Sequence, residues 1–317
     1  MLTMMDVAID TRLGTWDSLE QKRLLADRMT TAWSWKSRLR RSFPVIGCLM
    51  GGTGTGKSTI FNSLAGKQIS EVSKRRPSTT RPMVLAPSSA VDELLTCPFL
   101  ETGVASDASA DKRHPTIDVL ADFAHPDLVL VDTPDFDSAE IGHHVIANNF
   151  FLISDFIILV TSQEKYADFT AHEVSRKALE WDKTVMFVMN KVSSDAAYDD
   201  FCQNLSDRGF KGEPVRIERL EPSPSIIPGL AERSGFGPLF AVADSESNRE
   251  HVRSHEMRVL RQHTAQAVGS FIDAIDREEE RIAHVNRRIA AIEEQVLSSM
   301  EERTHTVVSR ETEVHIR

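Results

Sequence analysis

The 317-residue sequence is poor in cysteine, has no lysine after Lys211 and no proline after Pro238, and lacks any long apolar run. Its three cysteines, Cys48, Cys97 and Cys202, lie far apart and match no metal or redox spacing. That excludes a disulfide scaffold and reads as reduced thiols in packed positions. No stretch approaches the roughly 18 apolar residues of a membrane span; the best candidate, 150–160, is short and carries Asp155. Acidic residues come early and no apolar h-region follows, so no signal peptide is expected. Positive charge is also in deficit. A net charge of −10 predicts no broad attraction to nucleic acid or to an anionic membrane, so nucleic acid is not an expected partner. No metal-ligand cluster and no catalytic Ser/His/Asp set is visible. These absences leave a cytoplasmic globular chain, with peripheral membrane contact as the alternative. The length allows one large domain plus a smaller one, or two domains.

What the sequence does have is centred on Gly51-Gly52-Thr53-Gly54-Thr55-Gly56-Lys57-Ser58. This stretch satisfies every fixed position of G-x-x-x-x-G-K-[ST], between an apolar strand-like run and a segment with helical apolar spacing. Glycines let main-chain N–H groups turn inward around a phosphate, and the positive end of the following helix adds to the attraction. Lys57 is expected to reach the β- and γ-phosphates and the Ser58 hydroxyl to ligate Mg²⁺, with Thr59 completing the phosphate-binding set. The chain is therefore expected to bind a nucleoside phosphate.

Along the chain, residues 17–41 read as an amphipathic helix with Asp17 and Glu20 as a capping box. The cluster Lys36, Arg38, Arg40 and Arg41 at its end reads as a solvated terminus. Strands are expected over 45–50, 83–86, 128–132, 156–161, 185–190 and 214–220. Helices fall between most of them, over 57–66, 140–153, 167–181 and 195–208. Continuous aliphatic strands alternating with helices predict a three-layer α/β P-loop NTPase domain with a mostly parallel sheet. Residues 87–126 read as an insertion or long connection. Val268, Phe271, Ile275, Ile282, Val285, Ile289, Ile292 and Val296 recur every three and four residues, a heptad-like seam in which Glu278 fills the missing position. The expected divisions are an N-terminal helix over 1–42, the nucleotide domain over 43–240, and a helical arm, coiled coil or bundle, over 241–317. The arm either packs on itself or the nucleotide domain, or self-associates through its seam.

Downstream motifs narrow the chemistry. Leu128-Val129-Leu130-Val131-Asp132-Thr133-Pro134 is an apolar strand ending in an acid, placed where it can hold Mg²⁺ through a water. Pro77-Ser78-Thr79-Thr80-Arg81-Pro82 lies between the two motifs, and Thr80, ahead of Thr79, is the candidate switch threonine.

From Gly51 to Pro82, including Leu64-Ala65-Gly66-Lys67-Gln68-Ile69-Ser70, the sequence resembles P-loop GTPases of the Era-like and dynamin-like branch. Asp132-Thr133-Pro134-Asp135-Phe136-Asp137-Ser138 is most similar to a bacterial dynamin-like group, and the resemblance covers about residues 43–220. It implies GTP hydrolysed to GDP with Mg²⁺ held by Ser58, Thr80 and Asp132, catalysis involving Lys57, Thr80 and Asp132, and a base contacted by Asn190 and Lys191. Three departures stand out. Asp135 occupies the glycine position of Asp-x-x-Gly, and its carboxylate adds repulsion beside a phosphate. Phe136 stands where many small GTPases place a water-orienting glutamine, so hydrolysis is expected to be slow or to use Thr53, Asp135, Asp137 or a group from a partner or second copy. Ser193 replaces the acid of Asn-Lys-x-Asp, which leaves guanine preference resting on the resemblance. Gly54 replaces the asparagine of potassium-dependent relatives, so no potassium activation is expected. The expected partners are GTP and, through the helical arm, a second copy or another protein. Membrane contact is not indicated. The rival expectations are a nucleotide-binding scaffold with little turnover, an NTPase with relaxed base specificity, and a ribosome-associated protein.

Overall fold

Val45–Met50 (β1) is buried at all six positions, because it lies inside a seven-stranded sheet with side chains packed on both faces. The structure is a computed structural model. It describes residues 15–70, 82–100, 116–119, 125–135, 141–210, 212–220, 222, 224–232 and 234–315. The other strands are Met83–Ala86 (β2), Thr116–Val119 (β3), Leu128–Asp132 (β4), Phe156–Ser162 (β5), Val185–Val192 (β6) and Val215–Glu218 (β7). Their order is β3-β2-β4-β1-β5-β6-β7. The β2–β4 pair is antiparallel and every other pairing is parallel.

The alternation of side chains along each strand explains the uninterrupted apolar runs. Ile46, Cys48 and Met50 of β1 join one core with Val129, Val131, Ile157, Leu159 and Phe187. Val45 and Leu49 join the opposite core with Leu128, Leu130, Ile158 and Val160. The first core is covered by Thr15–Lys36 (α1), Ile141–Ile153 (α4), Phe169–Glu180 (α5), Asp195–Asp207 (α6) and the start of Glu246–His315 (α8). The second is covered by Lys57–Ala65 (α2) and Gly237–Asp244 (α7). Val91–Leu94 (α3) is a single turn before the second edge of the sheet. The result is the expected three-layer α/β architecture.

Differences from the sequence reading have local causes. Thr116–Val119 was expected to lie in an insertion, but it pairs with β2 as an edge strand; four residues including Asp118 are too short and too polar to declare themselves. α1 begins at Thr15, which puts Asp17 inside its first turn, and it stops at Lys36. Of the cation cluster at its end, Arg38, Arg40 and Arg41 are exposed, as expected of a solvated terminus, and Lys36 is not. Lys36 is buried and its ammonium lies 2.7 Å from Asp155, while Arg40 pairs with Glu93 at 2.8 Å and Arg41 pairs with Glu250. Cys48 and Cys97 are buried, and burial pushes both thiols up, Cys97 to about 12, consistent with packing roles.

α8 runs antiparallel to α1. The Lys22 ammonium reaches the Ser270 carbonyl, Thr264 reaches that of Met29, and Arg253 donates to the carbonyl of Arg41 at 2.7 Å. Beyond Phe271 the seam leaves this support, and Ile282, Val285, Ile289, Ile292 and Val296 are about half exposed. No described helix is long and apolar enough to cross a membrane.

A buried ionic cluster ties α1 and α8 to the amino-terminal ends of the central strands. Asp155 takes Lys36 on one oxygen and the Ile46 N–H, at 2.8 Å, on the other. Lys183 donates to the Ser154 carbonyl at 3.0 Å and lies 2.7 Å from Glu256 of α8, which also accepts the Thr184 N–H at 2.9 Å. Burial pushes Lys36 below the ordinary lysine range, and Asp155 opposes that shift. Removing one partner leaves the other charge buried and uncompensated. Asp155→Ala is therefore expected to destabilise the chain by about 3–5 kcal/mol in urea unfolding, against less than about 1 kcal/mol for an exposed pair such as Arg176–Glu180.

Candidate nucleotide-binding site

The site forms where the carboxyl ends of β1, β4 and β6 meet. The loop after β1 turns through Gly54 and Gly56, whose φ angles of 75° and 95° lie in the left-handed region. Gly56 is the N-cap of α2, and Lys57 is the first helical residue. Two loop glycines are fixed by their surroundings. A Cβ on Gly51 would lie 2.2 Å from the Val160 carbonyl oxygen, and one on Gly56 would lie 2.3 Å from Asn190 Nδ2. The Thr55 hydroxyl donates to the Gly52 carbonyl at 2.9 Å, closing the turn on itself.

Lys57 is 4% exposed. Its ammonium donates to the carbonyls of Gly51 at 2.9 Å and Gly52 at 3.3 Å, and it pairs with the carboxylate of Asp135. Next to it, the Ser58 hydroxyl donates to Asp132 Oδ2 at 2.8 Å. The Ser70 hydroxyl donates to the same oxygen at 2.8 Å, while Asp132 Oδ1 is buried with no hydrogen-bond partner. Burial pushes the Asp132 carboxyl up; Lys57, Ser58 and Ser70 pull it down. Thr133 anchors the end of β4 through its hydroxyl, 2.7 Å from the Leu49 carbonyl.

From β6, Asn190 donates its amide to the Thr55 carbonyl at 2.9 Å, and the Lys191 ammonium reaches the Gly54 carbonyl at 2.6 Å. Lys191 itself takes a φ of 59°, a left-handed turn that lifts its side chain over the loop. Ser193 donates both its N–H, at 2.7 Å, and its hydroxyl, at 3.3 Å, to Gln163 Oε1, which also accepts the Ser194 N–H at 3.1 Å. Asp195 opens α6 and pairs with Arg216 of β7 at 2.7 Å. It therefore points its charge at a neighbouring strand.

Residues 47–191, just under half of the chain, match the family described as 50S ribosome-binding GTPase. These residues form a P-loop GTPase domain. Among solved structures, the GTPase domain and its surroundings are similar to a protein of an oligomerised bacterial dynamin pair described as sensing and tethering membranes. That match has 14% identity and a TM-score of 0.41, over 95% of this chain and 52% of that one. Era from Aquifex aeolicus bound to GDP and aluminium fluoride is similar at 16% identity and a TM-score of 0.38, over 56% and 51%. Era with MgGDPNP and a segment of 16S ribosomal RNA follows at 18% and 0.39, over 56% and 52%. The chain spans about half the length of each. No curated protein matches the sequence.

The structure brings Gly51, Gly52, Thr53, Gly54, Thr55, Gly56, Lys57, Ser58, Asp132, Asn190 and Lys191 together around one loop. Thr59 lies in the first turn of α2 with its hydroxyl 3.4 Å from the Pro224 carbonyl. Thr79, Thr80, Phe136 and Asp137 lie outside the described residues. The oxygen set suits Mg²⁺: a hydroxyl and a buried carboxylate with one unpartnered oxygen, few enough protein ligands for an ion that keeps several waters. No group of three His, Cys, Asp or Glu side chains among the described residues offers an all-protein cage.

Two contributors escaped the sequence reading, and a third has a contact it did not foresee. Ser70 reaches Asp132 because Asn62 of α2 accepts the N–H groups of Ile69 at 2.9 Å and Ser70 at 2.8 Å and donates to the Ser70 carbonyl. Gln163, at the end of β5, organises the loop after β6. Asp135 was expected to repel a phosphate; it also holds Lys57.

Gly56→Ala should disrupt the site twice, through left-handed strain of about 1–2 kcal/mol and through collision with Asn190. Gly66→Ala, with φ 72° but open space at its Cβ, carries the strain alone. In titrations with a fluorescent guanine nucleotide, Gly56→Ala should bind at least about tenfold more weakly and Gly66→Ala close to the parent.

Proposed function

We propose that this chain is a Mg²⁺-dependent GTP-binding protein that hydrolyses GTP to GDP and phosphate and passes the resulting change around the γ-phosphate to its helical arm. The observation that carries the proposal is the buried Lys57 ammonium beside the Ser58–Asp132 hydrogen bond, at the carboxyl ends of adjacent parallel strands. Phosphates would lie along the loop from Gly51 to Ser58, on inward main-chain N–H groups at the start of α2. Lys57 would neutralise the terminal phosphates. Mg²⁺ would be held by Ser58, by Thr80, and through water by Asp132, and it would supply charge neutralisation at the phosphate oxygens. Water forms the new bond to the γ-phosphorus while the bond to the β–γ bridging oxygen breaks, and the protons of water end on phosphate and solvent. That water would be oriented by Thr53 of the loop or by a group from a second copy. The half-exposed heptad positions from Ile282 to Val296 suit a second copy of the same helix, since a 3.5-residue repeat is self-complementary.

A second reading concerns the base. Ser193 is tied to Gln163 and Asp195 to Arg216, so no described carboxylate stands at the fourth position of Asn190-Lys191-Val192-Ser193. This supports relaxed base specificity. Competition of GTP, ATP and XTP for one fluorescent analogue separates the readings: guanine preference appears as at least about tenfold tighter GTP binding.

Lys57→Ala and Asp132→Ala should each lower GTP hydrolysis by about a hundredfold or more, on the scale of losing one preorganised charge contact. Parental binding and turnover in both variants would overturn the assignment. Turnover per molecule that rises with protein concentration would favour completion of the site by a second copy; a concentration-independent, near-zero rate would favour a scaffold.

A further inference from the structure

Resting on the nucleotide reading above, we propose that Asp135 makes the site count phosphates: its carboxylate occupies Lys57 from the side that a third phosphate enters, so a triphosphate has to displace it and a diphosphate does not. The first support is a donor count. A lysine ammonium has three donors and no acceptor, and the three Lys57 contacts account for all of them: the Gly51 carbonyl, the Gly52 carbonyl and Asp135. A phosphate oxygen that reaches Lys57 must therefore replace one contact.

The three contacts are not equally replaceable. Gly51 and Gly52 are main-chain acceptors in a loop that is fixed elsewhere, with Gly51 against Val160 and Gly52 accepting the Thr55 hydroxyl and N–H. Asp135 is a side chain, and its other oxygen, Oδ2, is buried with no hydrogen-bond partner. Lys57 is thus the hydrogen-bonded anchor of that carboxylate. A carboxylate and a phosphate pressed together in a buried site also repel one another strongly, so the side chain leaves when the phosphate arrives.

Direction comes from the strand order. β4, which leads to Asp135, borders β1 on one side, and β5 and then β6 lie on the other. Asn190 and Lys191 of β6 grip the loop at Thr55 and Gly54. A nucleotide with its base at the β6 side and its phosphates running along the loop toward Asp132 brings its last phosphate to Asp135. A diphosphate stops short, its β-phosphate held within the loop by main-chain N–H groups, and leaves the Lys57–Asp135 contact in place.

The expulsion also carries information. Asp135 is three residues beyond Asp132 and joins the segment that follows β4, so its release moves that segment only when the third phosphate is present. The residue is a specificity-determining one, distinct from Lys57 and Asp132.

The test uses the full chain with Mg²⁺, a fluorescent GDP and the matching non-hydrolysable GTP analogue. The parent should favour the diphosphate. Asp135→Asn and Asp135→Gly should tighten the triphosphate by about tenfold or more and leave the diphosphate within about twofold, abolishing the preference. An unchanged ratio of the two affinities, or an equal change in both, overturns the inference while leaving nucleotide binding intact. Failure of the parent to bind either nucleotide overturns the nucleotide reading itself. Should either variant fold poorly, amide exchange of the parent decides: the N–H groups of Thr133 and Asp135 should exchange faster with the triphosphate analogue than with GDP, and equal exchange counts against displacement.

Discussion

A buried ammonium must find acceptors for three protons, and much of this domain is arranged so that Lys57 does. Leaving such a charge unpaired in the interior is among the largest costs a side chain can impose. The two loop carbonyls can reach Lys57 only if the chain after β1 curls back over the start of α2, and that curl needs left-handed backbone at Gly54 and Gly56. In the proposed function the same curl would carry the phosphates, so charge satisfaction and phosphate binding would share one backbone path. The central position of β1 follows as well, because a loop gripped by Asn190 from β6 and faced by Asp132 and Asp135 from β4 needs neighbours on both sides.

Parallel strands give this sheet two chemically different ends. At the carboxyl ends lie the phosphate loop, Asp132, Gln163 and Asn190. At the amino ends lie the Asp155–Ile46 hydrogen bond and the Lys183–Glu256 pair, where α1 and α8 are fastened. Single strands span the two. β6 starts beside Thr184, bonded to Glu256, and ends at Asn190 and Lys191 on the loop. β1 starts at the Ile46 contact and ends at Gly51. The loop and the root of the long helix are thus joined through the same well-packed strands. The buried ions at that root fix where α8 sits, a role in register as much as in stability.

Much of this was legible in the sequence where the determining interactions are local. The phosphate loop was visible because its glycines, lysine and serine lie within eight consecutive residues, and β4 because four apolar residues precede an acid. What stayed hidden depends on distant pairing. Lys36 looked solvated at the end of a helix because its partner, Asp155, is 119 residues away. Ser70 belongs to the site only because Asn62 clamps its main chain and the fold brings it 62 positions across the sequence to Asp132. Gln163 was within reach of inference, since it directly follows a strand adjacent to the one bearing Asn190 and so shares its edge of the sheet. β3 was not, because an edge strand of four residues buries too little to impose a pattern.

Charge balance at the site links the two carboxylates. Asp132 and Asp135 face one buried cation, Lys57, and the deeper of the two, Asp132, is fully buried with an unpartnered oxygen. Burial accordingly pushes its carboxyl up toward the protonated form. A nucleoside triphosphate adds several more negative charges to the same volume. Low local dielectric makes that sum prohibitive unless positive charge enters or a carboxylate departs. In the proposed function, a divalent cation held by Ser58 and, through water, by Asp132 would supply the first and would favour the ionised form of Asp132. Withdrawal of Asp135 supplies the second and returns the third donor of Lys57 to the phosphates. The substitution that departs most plainly from the family pattern, a carboxylate in place of a glycine, thus makes the balance of the site depend on how many phosphates it holds.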